Sequence, residues 1–145
     1  MTAYADSGFL CSLYAPDAHS GRVVARMQRQ ALPLPLTWLH QLEFRNALRL
    51  RVFRGEITPP QRDASLNALL ADVAAGVLTG AAPPLAEVLT EAERLSALHT
   101  ETTGTRSLDV LHVGSALVLG LAEFLTLDHR QLALAQAAGL KVPAL

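Results

Sequence analysis

Cysteine is almost missing from this chain: Cys11 is the only one in 145 residues. That excludes an internal disulfide and any cysteine-based zinc site. Cys11 sits among Phe9, Leu10 and Leu13, which marks it as a small core residue. An excess of one charge is missing too. The formal net charge is −1, so nucleic-acid binding would have to rest on a local patch. There is no G-x-S-x-G, no Walker loop and no G-x-G-x-x-G, and so no signal for a nucleophilic serine, a P-loop or a dinucleotide fold. The opening stretch Met1–Leu10 carries an acid and no basic region, so it does not read as a signal peptide, and a cytoplasmic protein is expected. No repeat, linker or low-complexity tract divides the chain, which predicts one domain over residues 1–145.

What is abundant is apolar surface. Half the residues are hydrophobic, only 17% are charged, and the mean hydropathy is +0.26. Helices covered on more than one face are expected, with a partner or dimer interface hiding part of the remainder. The segment 110–127 is apolar enough to suggest a membrane span. However, His112 and Glu123 lie inside it, Asp109 and Asp128 border it, and Gly120 interrupts it. A helix, a glycine stop and a buried strand account for it better.

Strand and helix patterns alternate along the chain. Strands are predicted at 2–5, 34–37, 77–79, 123–127 and 140–142. Between them run helices: one through Leu13, one capped by Asp17 or Ser20 and reaching Gln30, and one over 38–54. Thr58-Pro59-Pro60-Gln61 has the form of a capping box opening a helix to about Gly76. Further helices are expected at 85–99, at 108–119 with Ser107 as cap, and at 128–138. Strands separated by helices imply parallel crossovers: an α/β three-layer sandwich around a central parallel sheet of about five strands.

In such sheets functional groups gather beyond the C-terminal strand ends. Asp6 follows the first strand and Asp128 the fourth, Asp109 lies in the first turn of its helix, and Glu43 lies early in the helix after the second strand. All four acids are therefore expected as neighbours. Taken singly, each has a plainer explanation as a cap, turn or solvated residue. Glu43, flanked by Leu39, Leu42, Phe44 and Ala47, needs a partner. Taken together, clustered carboxylates repel, and a divalent cation relieves the repulsion. Oxygen-only ligands suit Mg2+ or Mn2+ and phosphoryl chemistry. Ser7 and Thr126 could hydrogen-bond a carboxylate or a metal-bound water. His112 lies one turn beyond Asp109, for packing, for a hydrogen bond behind the metal ligands or against substrate, and His129 and Arg130 follow Asp128, near the scissile phosphate or simply solvated. Arg45, Arg49, Arg51 and Arg54 are the densest basic stretch, with Arg45 and Arg49 the one close pair, for RNA phosphates or for acids of a partner.

Tyr4-Ala5-Asp6-Ser7, Leu42-Glu43, the run from Ser107 to Val113 and the run from Thr126 to Gln131 resemble the four acidic blocks of PIN-domain nucleases, especially the VapC toxins of bacterial toxin–antitoxin pairs. The resemblance spans Ala3 to about Val142. It implies a five-stranded parallel sheet, Mg2+-dependent endoribonuclease activity, a homodimer and inhibition by a small antitoxin. Asp6, Glu43, Asp109 and Asp128 would then be catalytic and metal-binding. His112 stands where many members of that family carry a second acid. Two other readings compete: a phosphatase-like hydrolase with Asp6 as nucleophile, and a catalytically idle nuclease-like fold kept for binding a protein.

Overall fold

The structure, a computed structural model, describes residues 1–30 and 33–145. In chain order it holds β1 (Ala3–Ala5), α1 (Ser7–Tyr14), α2 (Ser20–Gln28), β2 (Leu34–Leu36), α3 (Trp38–Phe53), α4 (Pro59–Ala74), β3 (Leu78–Gly80) and α5 (Leu85–Leu95). A π-helical turn (Ser96–Thr100) and the short α6 (Glu101–Thr103) follow, then α7 (Ser107–Val118), β4 (Glu123–Leu125) and α8 (His129–Ala137). These elements form two compact units. The first is Met1–Asp6 with Ala82–Ala144; the second is Ser7–Ala81 with Leu145.

In the first unit β1 and β4 pair in parallel, Tyr4 opposite Phe124 and Ala5 opposite Leu125. Both strands are largely buried, which is why they read as apolar runs rather than as alternation. Their core includes Tyr4, Leu95, Val113, Phe124 and Leu134, with the Tyr4 and Phe124 rings stacked 5.5 Å apart. Helices α5 and α7 cross closely at Gly114, where an added Cβ would lie 3.3 Å from Ala92 N and 3.4 Å from Val88 O.

In the second unit β2 pairs in parallel with β3. The bonds of this ladder fall on Leu34 and Leu36, so the missing N–H of Pro35 is not needed there. Thr58 and Gln61 make the expected reciprocal cap of α4, with Thr58 N to Gln61 Oε1 at 2.8 Å. Thr37 belongs not to β2 but to the N-cap of α3, where His40 closes the box. Tyr14 donates to Asp72 at 2.6 Å, tying α1 to α4; burial and the adjacent carboxylate push its phenol well above the usual range.

Several sequence expectations are corrected. Among the described residues, the expected sheet of about five strands is seen only as two two-stranded parallel ladders, one in each unit. At the expected fifth strand only Lys141 bridges, to Glu123. Lys141 exchanges bonds with Ala122 and Phe124, and the next ladder donor would come from residue 143, which is proline. Ser107 does not cap α7; Arg106 is the N-cap, and Asp109 takes its N–H. Neither Asp17 nor Ser20 caps α2, whose N-cap is His19. The segment 110–127 is indeed helix, left-handed Gly120 and strand. Among the described residues no helix is long and apolar enough to cross a membrane.

Candidate active site at the strand ends

Asp6 is the residue that follows β1. Its N–H continues the ladder to Leu125 O at 3.0 Å, and its side chain is 1% exposed. A carboxylate so buried needs hydrogen-bond donors. Thr126, the next residue of the paired strand, supplies one: its hydroxyl donates to Asp6 Oδ2 at 2.5 Å. The Thr126 Oγ1 in turn accepts from Asp128 N at 2.9 Å, so one hydroxyl uses its single proton on one acid and a lone pair on the backbone of another.

Asp128 then caps α8, with Oδ1 accepting from Arg130 N at 2.8 Å and Gln131 N at 3.0 Å. Asp109 acts similarly in the first turn of α7, with Oδ2 accepting from Arg106 N at 2.8 Å. The plainer reading of both as helix caps is therefore what the local geometry shows. It does not exhaust them, because a carboxylate has two oxygens. Asp109 Oδ1 and Asp128 Oδ2 take no hydrogen bond from any described residue.

Helix α7 feeds β4 through the Gly120 turn, so its N-terminus returns toward the end where β4 finishes. A buried bond between Tyr4 OH and His112 Nδ1, 2.8 Å, joins β1 to α7. Tyr4 lies two residues before Asp6, and His112 lies one turn after Asp109. Asp6, Asp109 and Asp128 thus share the C-terminal edge of the first unit. His112 itself is 1% exposed and engaged in this interior pair, so its place is packing rather than substrate contact. Arg130 and His129 are exposed beside Asp128.

Glu43 is half-buried on α3 in the second unit, and Ser7 Oγ donates to its Oε1 at 3.0 Å. Its surroundings are less apolar than the sequence suggests: Leu39 and Phe44 are buried, but Leu42 is 66% exposed.

Among the described residues no three His, Cys, Asp or Glu side chains stand together as a ready cation cage. The donor chemistry nonetheless fits a hard ion. The acids offer oxygen only, two of them with an oxygen open, and Mg2+ characteristically takes one or two carboxylates and keeps much of its water. Thr126 and Ser7 each bond a carboxylate as their positions beside the acids suggest, whereas the Tyr4–His112 pair escaped the sequence, since no motif signals a contact across 108 residues.

No protein-family model matches the sequence, and no curated protein matches it. Solved structures do. VapC20 of Mycobacterium tuberculosis, a sarcin–ricin loop cleaving toxin, superposes with a TM-score of 0.70 over 96% of each chain at 16% identity. VapBC2 from Rickettsia felis, solved bound to a DNA fragment from its promoter, gives 0.65 over 99% of this chain and 98% of that one at 11% identity. FitAcB from Neisseria gonorrhoeae gives 0.66 over 99% and 97% at 16% identity. These structural neighbours are PIN-domain toxin–antitoxin proteins, and the chain has their fold.

Proposed function

We propose that this chain is a Mg2+- or Mn2+-dependent endoribonuclease, the toxin of a toxin–antitoxin pair, acting in the cytoplasm as a homodimer and held in check by a small antitoxin protein. The observation that carries the reading is Asp6, a carboxylate buried to 1% exposure where a parallel strand ends and locked by Thr126. Burying such a group has a cost that a merely structural residue at a strand end would not require. The fold supports the reading, since VapC20 is a loop-cleaving toxin and VapBC2 and FitAcB are toxin–antitoxin proteins.

In this proposal Asp6, Asp109, Asp128 and Glu43 hold the cation. When bound, Mg2+ or Mn2+ supplies Lewis-acid stabilisation of charge on phosphodiester oxygens and acidifies a bound water. The chain's own contribution is positional. Thr126 fixes the rotamer of Asp6 and the backbone that presents Asp128, and Ser7 orients Glu43. The backbone N–H groups of Arg106, Arg130 and Gln131 hold one oxygen of each capping acid and leave the other without a hydrogen bond from the described residues. No side-chain nucleophile is needed.

Calorimetric titration with Mn2+ tests the site. The wild type should bind Mn2+, and Asp6→Asn should bind it at least about tenfold more weakly, the scale of one lost charged ligand. Equal binding by the two proteins, or none by either, would remove the metal site from the account.

A further inference from the structure

The densest basic stretch of the sequence acquires a definite shape in the second unit. On α3, at 100° per residue, Trp38, Leu42, Arg45, Arg49 and Phe53 fall within an arc of about 80°. Arg51 and Arg54 point elsewhere. Where α3 packs against α4, a cleft of about 300 Å³ opens, lined by Arg45, Leu48, Arg49, Arg62, Asp63 and Leu66. That volume is at the lower end of the range for pockets that take small organic groups, about 300–1,000 Å³, and well above what a bare ion needs.

The charge in the cleft is lopsided. Three guanidinium groups face one carboxylate, and that carboxylate, Asp63, already pairs with Arg62 Nε at 2.9 Å. Arg45 has only a weak contact, 3.3 Å, to Gln41, and Arg49 has no ion pair or hydrogen-bond partner among the described residues. Leu48 is buried, and Leu66 is half-buried beside it. Guanidinium forks over a partly apolar wall suit an anion that brings a carbon skeleton with it. Along the same stripe Phe53 is 86% and Trp38 38% exposed, so flat aromatic faces stand at both ends of the arginine row. Cations tracking a backbone, with aromatic faces for bases, are what single-stranded nucleic acid requires.

We propose that the α3–α4 cleft binds the phosphate backbone of single-stranded RNA, with Arg45 and Arg49 as the principal contacts and Arg62 beside them. This rests on the nuclease reading for the identity of the polyanion, and its test does not depend on cleavage. The site would raise affinity without choosing sequence, because phosphate contacts position a strand and carry no base information.

The experiment is fluorescence anisotropy with a short labelled single-stranded RNA of mixed sequence, in EDTA, across a series of salt concentrations. The proteins are the wild type, the Arg45→Gln/Arg49→Gln double variant, Arg49→Glu, and Arg54→Gln as a control outside the cleft. Arg49 and Arg54 are both exposed, so the single variants keep the test valid if the double variant folds poorly. The double variant should bind about tenfold more weakly, with the slope of log K against log salt reduced by about 1.4, about 0.7 for each lost contact to a single strand. Arg49→Glu should also weaken binding, and Arg54→Gln should stay near the wild type.

A double variant within about twofold of the wild type, or an Arg54→Gln loss as large as that of the cleft variants, would overturn the proposal. So would RNA binding that is untouched while capture of an acidic protein partner is lost. If the wild type binds RNA through the cleft but cuts none in Mg2+ or Mn2+, the cleft stands and the nuclease reading falls. If the variants cut at full affinity, the nuclease stands and the cleft assignment falls.

Discussion

Asp128 combines a structural duty with the catalytic one proposed, and two substitutions separate them. Asparagine caps a helix about as well as aspartate, whereas alanine loses about 0.5–2 kcal/mol. Asp128→Ala should therefore lower thermal stability, and Asp128→Asn should keep it while reducing cleavage. If both variants kept full activity, Asp128 would be a cap and nothing more. Thr126 is a second case. Thr126→Ala strips a donor from a buried carboxylate, an effect of about 1.5–3 kcal/mol, and Thr126→Ser should restore most of it. Asp17 gives a pH signature unconnected with the site. Burial alone would raise its pKa, but bonds from Ser12, His19 N and Ser20 outweigh burial and hold the carboxyl below its ordinary value. A depressed folded pKa contributes stability above about pH 4 and loses it as pH falls through the folded value. The melting temperature of Asp17→Asn should thus lie below that of the wild type by a constant margin from neutral pH to about pH 5. The margin should close in stronger acid, and one that persists there would contradict the assignment. At this scale the sequence was informative about Thr126 as a donor to a carboxylate, and silent about its second bond, from Asp128 N, and about Tyr4 as partner of His112. The Tyr4–His112 contact depends on register between segments that only folding brings together.

Elements were legible wherever a local signal decides the outcome. Thr58-Pro59-Pro60-Gln61 is self-sufficient, since every atom of the cap lies within four residues. Ser107 misled because Asp109 two residues later competes for the same terminus, and its carboxylate reaches the Arg106 N–H. The fifth strand failed for a reason also written in the chain, Pro143, but visible only once the register of Lys141 against Ala122 and Phe124 is known. Gly114 is the clearest requirement that helical periodicity hides. In an isolated helix alanine there would be favourable by about 1 kcal/mol. Here α5 backbone stands 3.3 Å from the position of a Cβ, and backbone cannot swing aside as a side chain can. Gly114→Val should cost about 1–3 kcal/mol in a denaturant titration, with α5 and α7 forced apart. A neutral result would mean that the two helices slide freely past each other.

For the molecule as a whole, composition was a poor guide to local charge and the order of elements a good guide to fold. A net charge of −1 hid a basic cleft, because three arginines from two helices are invisible in a sum. The alternation of strands and helices, by contrast, pointed to the α/β fold that the structural neighbours share. If the chain is a toxin, its expression alone should slow bacterial growth, and the Asp6→Asn protein at equal abundance should not. The most direct measurement is cleavage of a mixed cellular RNA pool by the purified chain, with Mg2+ or Mn2+ against EDTA and with Asp6→Asn alongside. The account predicts discrete cuts that need the cation and vanish in the folded variant. Cuts that persist in EDTA or in Asp6→Asn, or no cuts by well-folded wild-type protein in either metal, would contradict it.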